Sequence, residues 1–373
     1  MIIQGYHPLV GGAERQLAAF APELQALDIE LQVLTRRYKG LRPFEVINQV
    51  PVHRLPIPGP KPTASLTFTL TALPLLRRLR PHILHAHEVF SPATTATAAK
   101  QVLGGTPVVV TAHRSGPLGD VQRLLKKFLG RQRMRTFQQQ VNAFVVISQE
   151  IDAELAGVGV PEARRVFIPN GVDTQHFAPL TPPEKMAQRQ KLGVPAEGPV
   201  AIFTGRLAPE KRVPHLIRAW PAVRAAHPNA TLLILGVGPE EATLKQAAGP
   251  GVMFAGRVEN VAPYLQAADI FVLPSAAEGL SVAMLEAMST GLAALVTRVG
   301  GAADVIEHGH HGWLIPPDDP TALQAALLSL AGAPAQRAGL GQRARARVVS
   351  EYSLPALAKR LRALYERLII NPN

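Results

Sequence analysis

The chain has 373 residues, 47% apolar and 18% charged, with no cysteine and a formal net charge of +12. At about 150 residues per domain that length predicts two domains, each able to bury a core, and the composition excludes a disordered chain, a disulfide framework and a thiolate metal site. The opening MIIQGYHPLVGGAER has no basic leader followed by a long apolar run, and no later stretch reaches the roughly 18 unbroken apolar residues of a membrane span. A cytoplasmic protein without signal peptide or membrane-spanning helix is expected.

Only Met1 to Tyr6 precede His7-Pro8, so the expectation is either a short first strand or a true start upstream of Met1. "VGGAERQ" (10–16) then puts Gly11 and Gly12 at a helix start, where backbone can approach a ligand closely, although Gly-Gly is also common in plain loops. Strand candidates follow at 29–35, 82–87, 106–113 and 143–148, and the proline-rich 51–62 reads as a surface loop. "HAH" (85–87) sets His85 and His87 on one strand face, but no third ligand can be named, so zinc is not expected. His113 ends "TPVVVTAH", at the edge where open α/β sheets bind ligands; a purely structural histidine is the competing reading.

Next, "VQRLLKKFLGRQRMR" (121–135) reads as one amphipathic basic helix. Val121, Leu124, Leu125, Phe128 and Leu129 form an apolar stripe, with Arg123, Lys126, Lys127 and Arg133 opposite. Its stripe can simply pack on the sheet, while its cationic side can press on an anionic membrane. It lies in the basic half of the chain: residues 1–172 carry 20 Lys and Arg against 11 Asp and Glu, residues 173–373 carry 19 against 16. Charge alone does not distinguish nucleic acid, anionic lipid, a phosphorylated substrate or a solvated surface.

"VFIPNGVDTQHFAPLTPPEK" (166–185), with the turn signal Asn170-Gly171 and several prolines, marks a domain boundary. The expected domains are 1–171 and 172–353, with the amphipathic helix from Leu354 to the end returning to the first. Beyond the boundary, strand runs at 199–205, 230–236, 252–256, 269–274 and 293–297 alternate with helix candidates at 214–226, 240–247, 260–267 and 281–290. Such alternation calls for a doubly wound parallel sheet.

Two loops of this second sheet carry chemistry. "FTGRLAPEKRV" (203–213) leaves a strand at Gly205 and presents Arg206 and Lys211, a pair suited to a diphosphate if they are more than solvated surface. "SAAEGLSVAMLEAMSTG" (275–291) turns through Glu278-Gly279 into a helix that Ser281 can cap, with Glu286 one and a half turns on, placed to accept a pair of sugar hydroxyls. "GVGPEE" (236–241) is not a dinucleotide fingerprint, since Glu241 stands where the third glycine belongs.

Taken in order, "GGAER", His113, "IPNGVD", "GRLAPEK", the Glu278/Glu286 stretch and "VGGAADVIEHGHHGWLIPPDD" (299–319) resemble the retaining family 4 glycosyltransferases over nearly the whole chain. The resemblance implies an α/β GT-B fold, two Rossmann-like doubly wound domains facing each other across a cleft, the first for the acceptor and the second for the nucleotide-sugar. It implies that Glu286 takes the ribose hydroxyls, that Arg206 and Lys211 compensate the diphosphate, and that Glu278 with the amides of Gly279, Leu280 and Ser281 holds the transferred sugar and phosphate. By the same resemblance His113 touches the donor sugar, Gly12 beside Gly11 approaches the phosphates, and Gly205, Arg257 and Val258 belong to the donor site. The implied donor is a UDP- or GDP-sugar acting as substrate, with no cofactor and no metal. The acceptor is a glycan, lipid or small molecule, lipid-linked if the protein sits peripherally on the membrane's inner face. The competing functions are a GT-B nucleotide-sugar epimerase and a basic nucleic-acid binder; the latter would leave the acidic pair and the Arg206/Lys211 loop without purpose.

Overall fold

The computed structural model describes residues 1–8, 11–57, 63–116 and 119–371. The chain forms two compact units, Met1–Asn170 with Leu354–Asn373, and Gly171–Ser353. Each is a twisted, largely parallel sheet with helices packed on it.

In the first unit the strands are β1 (Val33–Arg36), β2 (Phe44–Ile47), β3 (Val50–Leu55), β4 (Leu84–His87), β5 (Val108–Ala112), β6 (Ala143–Val146) and β7 (Arg165–Phe167). They lie as β1-β3-β2 and β4-β5-β6-β7. Ile2 joins the two sets, bridging in parallel to Leu34 and to Ala86, with its N–H donating to the His85 carbonyl at 2.8 Å and its carbonyl accepting from His87 N–H at 2.9 Å. The short first element is therefore one residue, Ile2, bridged on both sides at the sheet's centre. All five residues of β5 are buried, as a continuous valine-rich run requires when helices cover both faces.

Two expectations fail here. The stretch 51–62 is not simply a loop: Val50–Leu55 is a strand pairing in parallel with β1 and antiparallel with β2. Its alternation Val50, Val52 buried against Pro51, His53 half-buried was masked by two prolines. Residues 58–62 of that stretch lie outside the described residues. The helix expected over 121–135 is two, Asp120–Leu125 and Gly130–Gln140. Leu129 between them has φ +56°. Val121 and Leu124 are buried, but Phe128 and Leu129 are 89% and 53% exposed, so the apolar stripe ends at Leu125.

The C-terminal helix Leu354–Ile370 packs on this unit. Leu357, Leu361, Leu364 and Leu368 recur at helical spacing and share a core with Leu17, Phe20 and Leu24 of the helix Gly12–Gln25. Each buried leucine contributes about 1.5–3 kcal/mol, enough to hold the chain's end on the unit that contains its beginning.

The second unit has β8 (Val200–Thr204), β9 (Thr231–Leu235), β10 (Val252–Gly256), β11 (Ile270–Leu273), β12 (Ala293–Thr297) and β13 (Trp313–Ile315). Their order is β10-β9-β8-β11-β12-β13, every pairing parallel. The order reverses between β8 and β11, which makes the carboxyl ends of those two strands the switch point of the sheet. The five expected strands all form, and β13, too short to be seen in the sequence, adds an edge. Asp269 fastens the preceding helix Pro182–Lys191 to this sheet, accepting from Lys185 and Arg189 at 2.7 Å each and from Val200 N–H at 2.8 Å.

Candidate functional site

At the switch point of the second unit two loops lock together. After β8 the chain runs through Gly205 and exposed Arg206 to a turn of 3-10 helix at Pro209–Lys211; after β11 it runs through Ser275 to Ser281. The Ala276 N–H donates to the Glu210 carbonyl at 2.8 Å. Lys211 Nζ lies 2.5 Å from Glu278 Oε1, which also accepts from Ser275 Oγ at 2.7 Å. Ser281 caps the helix Val282–Ser289, its hydroxyl accepting from Met284 N–H at 3.2 Å. The amides at that helix start are an anion site of the usual kind. Glu286 lies within the same helix, its carboxylate-bearing residue only 7% exposed.

Glycine lets the neighbouring loops come close. A Cβ on Gly300, whose φ is +55°, would stand 2.1 Å from the Gly279 carbonyl oxygen, and the next amide, Gly301 N–H, donates to that same oxygen at 2.6 Å. On the other side Gly236 faces the Gly205 carbonyl, where a Cβ would come within 1.8 Å. The carboxyl ends of β8, β9, β11 and β12 thus form one continuous rim. Arg257 and Val258 extend it beyond β10, Arg257 exposed and Val258 half-buried.

The first unit has its own rim. Gly11 and Gly12 are exposed at the start of the helix Gly12–Gln25, and Gly11 N–H donates to Glu14 Oε2 at 2.9 Å. His113 follows β5, its backbone N–H donating to Asp120 Oδ2 at 2.8 Å. It ends a row of aromatic side chains. His113 stacks on His87 with centroids 5.3 Å apart, and His87 on His85 at 4.6 Å. The rings are also hydrogen-bonded: His113 Nε2 to His87 Nδ1 at 3.1 Å, and His85 to Tyr365 Oη at 2.5 Å and Thr111 Oγ1 at 2.7 Å. Burial lowers all three imidazoles, His85 to about 3, His113 to about 4 with help from Arg114, and His87 well below its usual value. At neutral pH the row is uncharged, so His113 is a neutral hydrogen-bonding group.

Two models of known families match the chain. One, described as Glycosyltransferase Family 4, covers residues 10–176, and the other, Glycosyl transferases group 1, covers 198–332. The chain belongs to glycosyltransferase family 4. Among its relatives is a GDP-mannose-dependent monoacylated alpha-(1-6)-phosphatidylinositol monomannoside mannosyltransferase of Corynebacterium glutamicum. It is 34% identical over 243 residues, which are 62% of this chain and 64% of that protein, slightly under two thirds. An N-acetyl-alpha-D-glucosaminyl L-malate synthase of Bacillus anthracis is 25% identical, covering 96% of this chain and 94% of its own. Among solved structures, a sucrose-phosphate synthase from Thermosynechococcus elongatus superposes with TM-score 0.83 at 21% identity, covering 99% and 98% of the two chains. Anabaena Alr3699/HepE in complex with UDP superposes with TM-score 0.82 at 19% identity, covering 98% and 99%. The fold is GT-B.

For this family 4 enzyme, Gly205, Arg206, Lys211, Arg257, Val258, Glu278, Gly279, Leu280, Ser281 and Glu286, all picked out from the sequence, lie on or just inside the carboxyl rim of one sheet. Gly11, Gly12 and His113 lie on the rim of the other. Sequence reasoning gave Arg206 and Lys211 one shared task; the structure adds an ion pair between Lys211 and Glu278 that it did not foresee. It also passed over His87, Tyr365 and Glu88. The alternating "HAH" was the available signal for His87, once read as a stack and not as metal ligands; the ring nitrogens of His85 are both engaged by Tyr365 and Thr111. Glu88 has φ +78°, and burial, reinforced by Asp120 and Glu14, pushes its carboxyl up to about 7. Nothing in the sequence marks it.

Proposed function

We propose that the protein moves a hexose from a UDP- or GDP-sugar to a glycan, lipid or small-molecule acceptor with retention of configuration, without a metal ion. One observation carries this reading: an anion-attracting helix start, two cationic side chains on the facing loop and a carboxylate buried in the same helix gather at one switch point. Glu286 takes the ribose hydroxyls. Arg206 and Lys211 stabilise the leaving diphosphate, the class of contact whose loss costs about 10²- to 10³-fold in rate. Glu278 and the amides of Gly279, Leu280 and Ser281 hold the transferred sugar and its phosphate. His113 serves the sugar, Gly12 the phosphates, and Arg257 with Val258 the nucleotide end. A family 4 relative is named for GDP-mannose and a structural neighbour was solved with UDP, which supports a nucleoside diphosphate donor and leaves both bases in play. The relatives compared are named as transferase and synthase, so epimerisation is not favoured.

The test is calorimetry of UDP and GDP with the Glu286→Gln protein. A loss of roughly tenfold or more in affinity is expected, the size of a charge-assisted hydrogen bond; unchanged affinity in a folded variant removes the ribose assignment. Turnover on a sugar-nucleotide with no acceptor, yielding an isomerised donor, would replace transfer by epimerisation.

A second reading concerns location. Among the described residues no helix is long and apolar enough to cross a membrane. Phe128, almost wholly exposed beside Lys126 and Arg131, favours peripheral attachment to an anionic cytoplasmic face.

A further inference from the structure

Outside the donor loops, a cluster of cations lies on the rim of the first unit. Four cations, three from separate elements and Lys127 from the linker between two of them, converge on the start of the helix Ser91–Val102. Arg36, the last residue of β1, donates to Ser91 Oγ at 2.8 Å. Arg133 donates to Thr94 Oγ1 at 2.7 Å. Arg123 and Lys127 lie over the Phe90 ring, at 5.3 and 4.8 Å from its centroid. Among the described ion pairs none includes any of the four.

The cluster is costly as it stands. Burial lowers the Lys127 amine, and Arg123, Arg133 and Arg36 each lower it further, with Glu88 the one carboxylate opposing them. The Nε atoms of Arg36 and Arg133 are buried with no hydrogen-bond partner, and a buried polar atom left so is destabilising. The helix beside them has no side-chain cap and no acid in its first turn, so its leading amides add to the positive potential. The position is that of a ligand site: β1 and β4 flank the Ile2 segment, and their carboxyl ends deliver Arg36 and Phe90.

We propose that this cluster seats a phosphate ester carried by the sugar acceptor. Four cations answer the two charges of a phosphomonoester or the single charge of a phosphodiester, and guanidinium forks suit its oxygens. Glu88, next to the seat, faces the hydroxyl-bearing part of such a molecule. The inference rests on the transferase reading for the word acceptor, but the anion seat itself does not.

The experiment titrates the full-length protein with glycerol phosphate by calorimetry, and in parallel sediments it with phosphatidylglycerol/phosphatidylcholine vesicles and with phosphatidylcholine alone. Arg36→Gln/Lys127→Gln should weaken whichever phosphate source binds by at least about tenfold, and the exposed single change Lys127→Gln by several-fold. Arg206→Gln, in the other unit, should leave that binding unchanged. Affinity for UDP and GDP should survive both cluster variants, so loss of nucleotide binding in the wild type would sink the transferase reading and leave the seat standing. Glycerol phosphate binding that depends on Arg36 assigns a water-soluble acceptor, and vesicle binding that depends on Arg36 assigns a phospholipid headgroup. Wild-type affinity in folded cluster variants, or a loss seen only in Arg206→Gln, overturns the proposal.

Discussion

Lys211 and Glu278, 67 residues apart in sequence, form an ion pair of 2.5 Å at the carboxyl ends of β8 and β11. The pair joins the two loops assigned to the donor, so each partner holds the other in place before any ligand arrives. Both side chains are largely shielded, 20% and 14% exposed, which makes a lone survivor costly. Lys211→Ala is expected to lower turnover by about 10²- to 10³-fold, and to lower stability by only about 1–3 kcal/mol because Ser275 still serves Glu278. A double-mutant cycle with Glu278→Gln separates the pair from the chemistry. Turnover equal to wild type in Lys211→Ala would make the loop mere surface.

The rim depends on backbone proximity at Gly300. With φ +55° and a Cβ only 2.1 Å from the Gly279 oxygen, alanine cannot be accommodated unless one loop withdraws. Gly300→Ala should therefore displace the Gly279–Ser281 amides and weaken nucleoside diphosphate binding more than tenfold, while melting falls by a few degrees. Gly309→Ala, at φ +78° with open space around it, carries a similar backbone penalty away from the rim. If both variants lose nucleotide binding equally, the close approach is not what matters.

Much of this was legible. Every strand of the second unit except β13 is an apolar run of four or five residues, fully buried in β8, β9, β11 and β12 and half-buried in β10, and Ser281 caps its helix as its position before Val282 implies. What escaped was long-range. No periodicity tells that Tyr365 reaches His85 across 280 residues of sequence, or that Lys211 meets Glu278. The missed break at 126–129 is local: Leu129 turns with φ +56°, and a Cβ on Gly130 would stand 1.9 Å from the Leu124 carbonyl, so the chain folds back on itself where the apolar stripe suggested a continuous helix. In β3, Pro51 and the Pro56 that follows it hid the alternation of a strand that pairs with β1 on one side and β2 on the other.

The histidine row makes stability pH-dependent. His85, His87 and His113 are held neutral in the fold, with values lowered to about 3 for His85 and about 4 for His113, whereas the unfolded chain protonates each near 6.5. Below that value the unfolded state binds more protons, so their contribution is complete above about pH 6.5 and is lost progressively as pH falls. The buried Met1 amine, lowered to about 5, acts in the same direction, while Glu88, raised to about 7, and Asp120 and Glu154, also raised by burial, oppose them. Urea unfolding should show a clear loss of stability from about pH 7.5 to about pH 5, and His87→Gln should flatten the slope. A wild-type profile flat over that interval would mean the row is charged or hydrated in solution.

The tip between the two short helices decides the question of location. Phe128 is 89% exposed, and Lys126, Lys127 and Arg131 beside it are exposed as well. A bare phenylalanine ringed by cations is poorly suited to water and well suited to a headgroup layer, where the ring enters the acyl boundary and each cation adds up to about 1 kcal/mol. Sedimentation with anionic vesicles at low salt should be appreciable and should fall several-fold in Phe128→Ser and in Lys126→Glu. High salt should remove the part due to charge, since exposed charges are screened within about 10 Å at 0.1 M ionic strength. Phe128→Ser changes no cation of the Phe90 cluster, so it separates attachment at this tip from phosphate binding through Arg36. Wild-type protein that stays in the supernatant with anionic vesicles at low salt would end the membrane reading and leave a water-soluble acceptor.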